Sequence, residues 1–227
     1  MGAKRVRCKK TAKIYSRTDA FHPAKLRINV LYAKSVREFV GLRARHLILD
    51  SRYCVTSRTL HKEGFCKDAI CAPNICEKDS EALQKFGINS PLQAIEECNF
   101  PADALWYDGM LTPGGNITEK HYLGPVVDRF LLQKREKGER CLLALTIFTR
   151  ARETRALRGS VERTVLNQIA RLTELRGYNI VRKTVEDYKR NLLYMEWRLV
   201  RSKKGKSALL TWTNSSQYIG FPPGYVM

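Results

Sequence analysis

Apolar residues along this chain fall into helical stripes, short alternations and one unbroken run, and each predicts an element. KLRINVLY (25–32) alternates and predicts a short strand. SVREFVGLRARHLILD (35–50) predicts a helix, with Ser35 as N-cap and Val36, Phe39, Val40 and Leu47 roughly on one face. SRYCVTSRTLHKEGF (51–65) predicts a second short helix ending near Gly64, so one packing of 35–65 is a degenerate helix-turn-helix. Residues 66–119 are rich in turn material such as CAPNIC, GINSP and NFPADALWYDG. Within them SPLQAIEEC (90–98) predicts a helix, with Ser90 at the N-cap and Pro91 at the first helical position. LGPVVDRFLLQKREKG (123–138) carries Val126, Val127, Phe130 and Leu131 at helical spacing. RCLLALTIFTRA (140–151) has no period and fits either a core helix or a buried strand. SVERTVLNQIARLTEL (160–175) has a helical stripe of Val161, Val165, Leu166, Ile169, Leu172 and Leu175.

The stretch 166–213 reads as helix, turn, helix, hairpin. Gly177 ends the first helix, since a residue without Cβ takes the left-handed turn at low cost. RKTVEDYKRNLLYMEW (182–197) is the second helix, with Val185, Tyr188, Leu192 and Met195 inward. WRLVRS and SALLTWT are two strands joined by the basic turn KKGK. In this pattern the sequence resembles the winged helix-turn-helix superfamily, with Ile169-Ala170 as the anchor that lets a second helix cross closely. The resemblance covers about 50 residues and implies a helix in the major groove and a basic wing on flanking phosphates. It assigns nucleic-acid contacts to Arg182, Lys183, Thr184, Lys189 and Arg190 on the second helix, and to Arg201, Lys203, Lys204 and Lys206 on the wing. The competing reading is a helical hairpin and a β-hairpin whose charges are a solvated face.

Charge strengthens the polyanion reading. The chain has 227 residues and a formal net charge of +19. Residues 1–67 hold 17 Lys and Arg against 4 Asp and Glu, 68–119 hold 2 against 9, and 120–227 hold 22 against 9. Two basic lobes thus flank an acidic middle, which is either a connector or a surface for a basic protein partner. At 44% hydrophobic residues the chain has the material for a core. No apolar run is long enough to span a bilayer, and the basic first 20 residues lack the apolar stretch of a secretory signal. Gly2 is followed by Val6 where a myristoylation site needs Ser or Thr. An intracellular protein is expected.

Seven cysteines in such a protein are expected to be thiols or metal ligands. His61, Cys66, Cys71 and Cys76 recur every five residues and are the candidate ligands for zinc, with Cys54 and Cys98 in reserve. Five is not the usual knuckle spacing, so ordinary buried cysteines are the main alternative, with disulfides and an iron–sulfur cluster also open. Catalytic motifs are scarce. His22, His46, His61 and His121 are scattered, TPGGN lacks the lysine of a phosphate-binding loop, and Asp103, Asp108 and Glu119 follow no diagnostic spacing. Asp108 in WYDG reads as a turn former.

The sequence therefore predicts a mostly α protein with small β elements (α+β) and a C-terminal winged-helix-like module. The expected divisions are a basic arm (1–18), an α+β region (19–112), a helical domain (116–214) and a tail (215–227). The expected function is non-enzymatic nucleic-acid binding, DNA before RNA, as a regulator or replication-associated factor. The alternatives are a structural RNA binder and a matrix-type protein on anionic membranes.

Overall fold

The computed structural model describes residues 17–111, 123–148, 155–189 and 192–202. Its centre is a six-stranded mixed sheet with helices on both faces. The strands are β1 (His46–Ile48), β2 (Ile70–Cys71), β3 (Ala104–Leu111), β4 (Arg140–Phe148), β5 (Tyr178–Lys189) and β6 (Leu192–Arg201), in the order β2-β1-β3-β4-β6-β5. β2, β1, β3 and β4 are parallel, and β6 runs antiparallel between β4 and β5. The helices are α1 (Arg17–Ala20), α2 (Pro23–Phe39), α3 (Val55–Lys62), α4 (Glu77–Lys85), α5 (Leu123–Leu132) and α6 (Arg155–Leu175).

Alternation along the strands builds two cores. Leu105 and Tyr107 of β3, Leu143, Leu145 and Ile147 of β4, and Leu193, Met195 and Trp197 of β6 pack with Val127, Phe130 and Leu131 of α5 and Ile169 of α6. Ala104 and Trp106, Leu142 and Ala144, and Leu192 and Tyr194 face the other way, against Ile28, Tyr32 and Val36 of α2, Leu60 of α3 and Leu83 of α4. Helices following β1 and β2 thus cover one face, and those following β3 and β4 cover the other. This three-layer arrangement replaces the expected mostly α fold.

Among the described residues the winged-helix module is absent. Residues 182–189, expected in a recognition helix, lie in edge strand β5, and 192–197 lie in β6. The reason is two-sided burial. Leu192 to Trp197 are all buried because β6 sits between two strands with helices on both faces, and such a run also matches a helical template. The basic turn KKGK and the expected second wing strand lie outside the described residues.

Other expectations also shift. Residues 25–32 form part of α2, whose buried positions Lys25, Ile28, Asn29, Tyr32, Ala33 and Val36 follow a helical period. Pro23 opens this helix, and the His22 ring accepts a hydrogen bond from the Ala24 N–H at 3.2 Å. The helix expected over 35–50 ends at Phe39, and β1 separates it from α3, which excludes a helix-turn-helix at 35–65. The segment 90–98 holds only the short 3-10 turn Ile95–Glu97, and the Ser90 hydroxyl donates to the Ala72 carbonyl instead of capping a helix. The apolar run at 140 is the buried strand. α3, α5 and α6 fall where helices were expected, and Gly177 has the left-handed φ of 79°.

Candidate functional site

The sheet changes direction beside β1. From β1 the chain moves outward to β2, then returns across β1 to β3, and its helices change face at that step. In open sheets such a switch leaves a crevice beyond the carboxyl ends of the two central strands, because the flanking connections diverge there. The residues just past β1 and β2, and near the end of β3, therefore line the candidate site.

Asp50 follows β1. Its carboxylate accepts from the Ser51 N–H at 2.9 Å and from the Ser57 N–H and hydroxyl at 2.8 Å each. It thereby caps α3, whose own N-cap residue, Cys54, makes no side-chain cap. Burial raises the Asp50 pKa against these hydrogen bonds and the nearby Lys25 charge. Cys54 has a left-handed φ of 52°, a conformation usually left to glycine, and its side chain is buried. Asn74 follows β2 and ties the two turns together, donating to the Asp50 carbonyl at 3.0 Å and accepting from the Cys76 N–H at 2.9 Å. Beside it Ile75 is 62% exposed, and Leu92 is 59% exposed. The Asn74 N–H donates to the Pro91 carbonyl at 3.1 Å, which brings these two apolar side chains into neighbouring segments.

Asp108 on β3 faces the same crevice. It pairs with Lys25, which α2 delivers in a nearly solvent-free position. The Lys25 ammonium also lies 4.6 Å from the centre of the Trp106 ring. Trp106 is fixed in turn by donating to the Thr146 hydroxyl at 3.2 Å and packing against Tyr32 and Tyr194. Two carboxylates and one ammonium thus meet at the switch, above an aromatic floor.

The sequence singled out Asp108 but read it as a turn former. Asp103 is not in the crevice; it pairs with Arg45, with side-chain contacts of 3.0 Å. Glu119 lies outside the described residues. Lys25, Asp50, Asn74 and Trp106 were not anticipated. Their signal was available as short apolar runs, LIL before Asp50 and AIC before the APN turn, each followed by a polar turn and a helix.

The expected nucleic-acid contacts do not form a helix face. Arg182, Lys183 and Thr184 lie on β5 opposite Arg198, Trp197 and Glu196, and Lys189 pairs with Leu192. Arg201 stacks over Tyr178 at 4.9 Å and donates to the Arg176 carbonyl. Arg190, Lys203, Lys204 and Lys206 lie outside the described residues.

The expected zinc ligands are not brought together. His61 bonds the Phe65 carbonyl through Nδ1 at 3.3 Å, Cys66 is exposed, and Cys76 stands at the N-cap position of α4. Cys71 is buried beside Cys98 instead. Among the described residues no group of three His, Cys, Asp or Glu side chains has the proximity a metal ion needs. Among the same residues no helix is long and apolar enough to cross a membrane.

No protein-family model matches the chain, and no curated protein matches it by sequence. Solved structures do share its fold. The magnesium protoporphyrin IX methyltransferase of Synechocystis PCC 6803, solved with S-adenosylhomocysteine, superposes with a TM-score of 0.53 at 13% identity, covering 79% of this chain and 84% of that one. A Galdieria sulphuraria protein provisionally assigned as a sarcosine dimethylglycine methyltransferase gives 0.52 at 14% identity, covering 79% and 87%. A Pyrococcus horikoshii protein provisionally assigned as an RNA methyltransferase gives 0.50 at 10%, covering 78% and 85%. The fold is therefore the α/β fold that these methyltransferase structures share, not a winged helix. The expectation of a non-enzymatic DNA-binding regulator falls with the module it rested on.

Proposed function

We propose that this protein is an S-adenosylmethionine-dependent methyltransferase that works in the crevice between the ends of β1 and β3, on a nucleic-acid acceptor. The observation that carries the reading is the strand order, with its direction switch beside β1 and with Asp50 and Asp108 at that switch. The residues there suit the group. Ile75 and Leu92 offer apolar walls to a flat base. Asp50 braces the turn after β1 by capping α3, and Asp108 holds a carboxylate near the end of β3. The turn after β1 has no glycine, but Cys54 takes the left-handed backbone and turns its side chain inward, which keeps that side chain off the ligand side.

Bound there, S-adenosylmethionine supplies a methyl group on a sulfonium centre for displacement by a nucleophile. Lys25 holds the Asp108 carboxylate in place, so that it can accept a hydrogen bond from an acceptor amine or hydroxyl. The Trp106 ring shields this pair from water on one side. The net charge of +19 supports a polyanionic acceptor. The preference for DNA over RNA came from the winged-helix resemblance and goes with it.

Calorimetric titration of the full chain with S-adenosylmethionine and S-adenosylhomocysteine tests the first part, with one site per chain expected. Ile75 is largely exposed, so Ile75→Asp should leave folding intact and weaken binding about tenfold, or about 1.4 kcal/mol. Transfer of radiolabelled methyl groups to DNA, RNA and protein pools tests the acceptor, with incorporation into nucleic acid falling as salt rises. No binding at millimolar ligand would sink the whole reading. Incorporation into protein alone would overturn only the acceptor class.

A further inference from the structure

Two thiols lie outside the crevice and take no part in the proposed transfer. Cys71 ends β2, and Cys98 follows the 3-10 turn Ile95–Glu97. Their sulfurs are 3.7 Å apart, 27 residues apart in sequence, and both side chains are buried. The surroundings differ on the two sides. The neighbouring Cys71 thiol, the Phe100 backbone, the Gln93 side chain and the Arg129 charge hold the Cys98 pKa below the ordinary thiol range against the cost of burial. The Cys98 contact and burial raise that of Cys71. The two sulfurs share one hydrogen bond, which either can donate. By contrast, chiefly burial pushes the Cys54 and Cys141 thiols up, each to about 11, which makes them inert.

We propose that Cys98 and Cys71 are a redox couple that a peroxide converts into an internal disulfide. The Cys98 thiolate attacks one peroxide oxygen, the O–O bond breaks, and the departing hydroxide leaves as water with the proton that Cys98 gave up on ionising. Cys98 is now a sulfenic acid. The Cys71 sulfur then displaces its hydroxyl, which leaves as water with the Cys71 proton. The pair has given up two electrons, and hydrogen peroxide has become two waters. The sulfurs must close from 3.7 Å to about 2.05 Å, which draws the turn at 95–98 towards β2. This couple stands independently of how the crevice is used.

The test treats the full, reduced chain with hydrogen peroxide at one equivalent, blocks remaining thiols with N-ethylmaleimide, and maps peptides without reduction. A Cys76→Ser background removes the second cysteine from the proteolytic peptide that carries Cys71. The expected result is a Cys71–Cys98 cross-link that dithiothreitol reverses, with both residues leaving the alkylated pool together. In Cys71→Ala the cross-link disappears and dimedone labels Cys98. Recovery of Cys71 and Cys98 as free thiols while exposed Cys66 is oxidised would overturn the proposal. So would a dominant link from Cys98 to any other cysteine. The mapping of the chain with Cys71 and Cys98 intact decides the matter even if Cys71→Ala fails to fold.

Discussion

Replacing His46 with Phe should flatten the acid limb of the stability curve. His46 is the first residue of β1 and is fully buried. Its Nδ1 lies 3.3 Å from the Tyr32 hydroxyl, its ring packs edge-on against Phe65 at 4.4 Å, and Nε2 has no hydrogen-bond partner among the described residues. Burial lowers its pKa to about 3, against a small opposing pull from Asp103. An unfolded chain binds a proton here near pH 6.5, and the folded chain does not until near pH 3. The folded pKa is depressed, so the stabilisation is present above pH 6.5 and is lost as pH falls towards 3.

The useful window is pH 6.5 to 4.5, above the range where ordinary carboxylates titrate. The unfolded histidine is half protonated at pH 6.5 and nearly fully so by 4.5, so at 1.36 kcal/mol per proton and pH unit the expected loss is about 2.3 kcal/mol. Asp50 and Glu196 act oppositely, because burial raises both, and their contributions grow as pH falls. The difference between the two proteins removes those shared contributions. Urea unfolding of the original chain and His46→Phe, at half-unit pH steps, gives the curve. The variant starts lower because the Tyr32 hydroxyl loses its partner, but its stability should fall by about 2.3 kcal/mol less across the window. Parallel curves between pH 6.5 and 4.5 would show that His46 protonates within the fold and would refute the argument.

Three further outcomes follow from the packing. Arg176 and Asp128 form a buried bidentate pair at 2.6 and 2.9 Å that joins the end of α6 to α5, so Arg176→Met should cost about 3–5 kcal/mol in urea unfolding, and adding Asp128→Leu should recover most of it. Because the expected zinc ligands are dispersed, chelation should leave the melting temperature unchanged, and elemental analysis should find no stoichiometric metal. Peroxide-treated protein carrying the Cys71–Cys98 bridge should be more stable than reduced protein by about 3–4 kcal/mol on the loop-closure estimate, a gain that vanishes in Cys98→Ala.

α3, α5 and α6 were the legible helices of this fold. α5 showed its buried stripe of Val126, Val127, Phe130 and Leu131 directly, and Gly177 marked the end of α6. Strands buried on both faces were not legible. β6 reads LLYMEWRLVR without alternation, and its neighbours in sequence supplied enough helical spacing to extend a false helix back through β5. The opposite error came from α2, where the alternation within 25–32 hid a longer helical period that only packing against β1 and β3 makes visible.

The candidate site was less legible than the fold because it is a product of strand order. Asp50, Asn74 and Asp108 stand at the ends of three separate apolar runs, and no local spacing relates them. They become neighbours when β1 pairs with β2 on one side and β3 on the other, and when α2 lays Lys25 across the end. A five-residue repeat such as that of His61, Cys66, Cys71 and Cys76 is conspicuous in sequence, yet the fold places it across a helix end, a 3-10 turn, a strand and a cap. Regular spacing makes a site only when one continuous element carries it. In an α/β sheet the more informative signal is the polar residue that directly follows each short apolar run, since the sheet brings those positions to one edge whatever their distance along the chain.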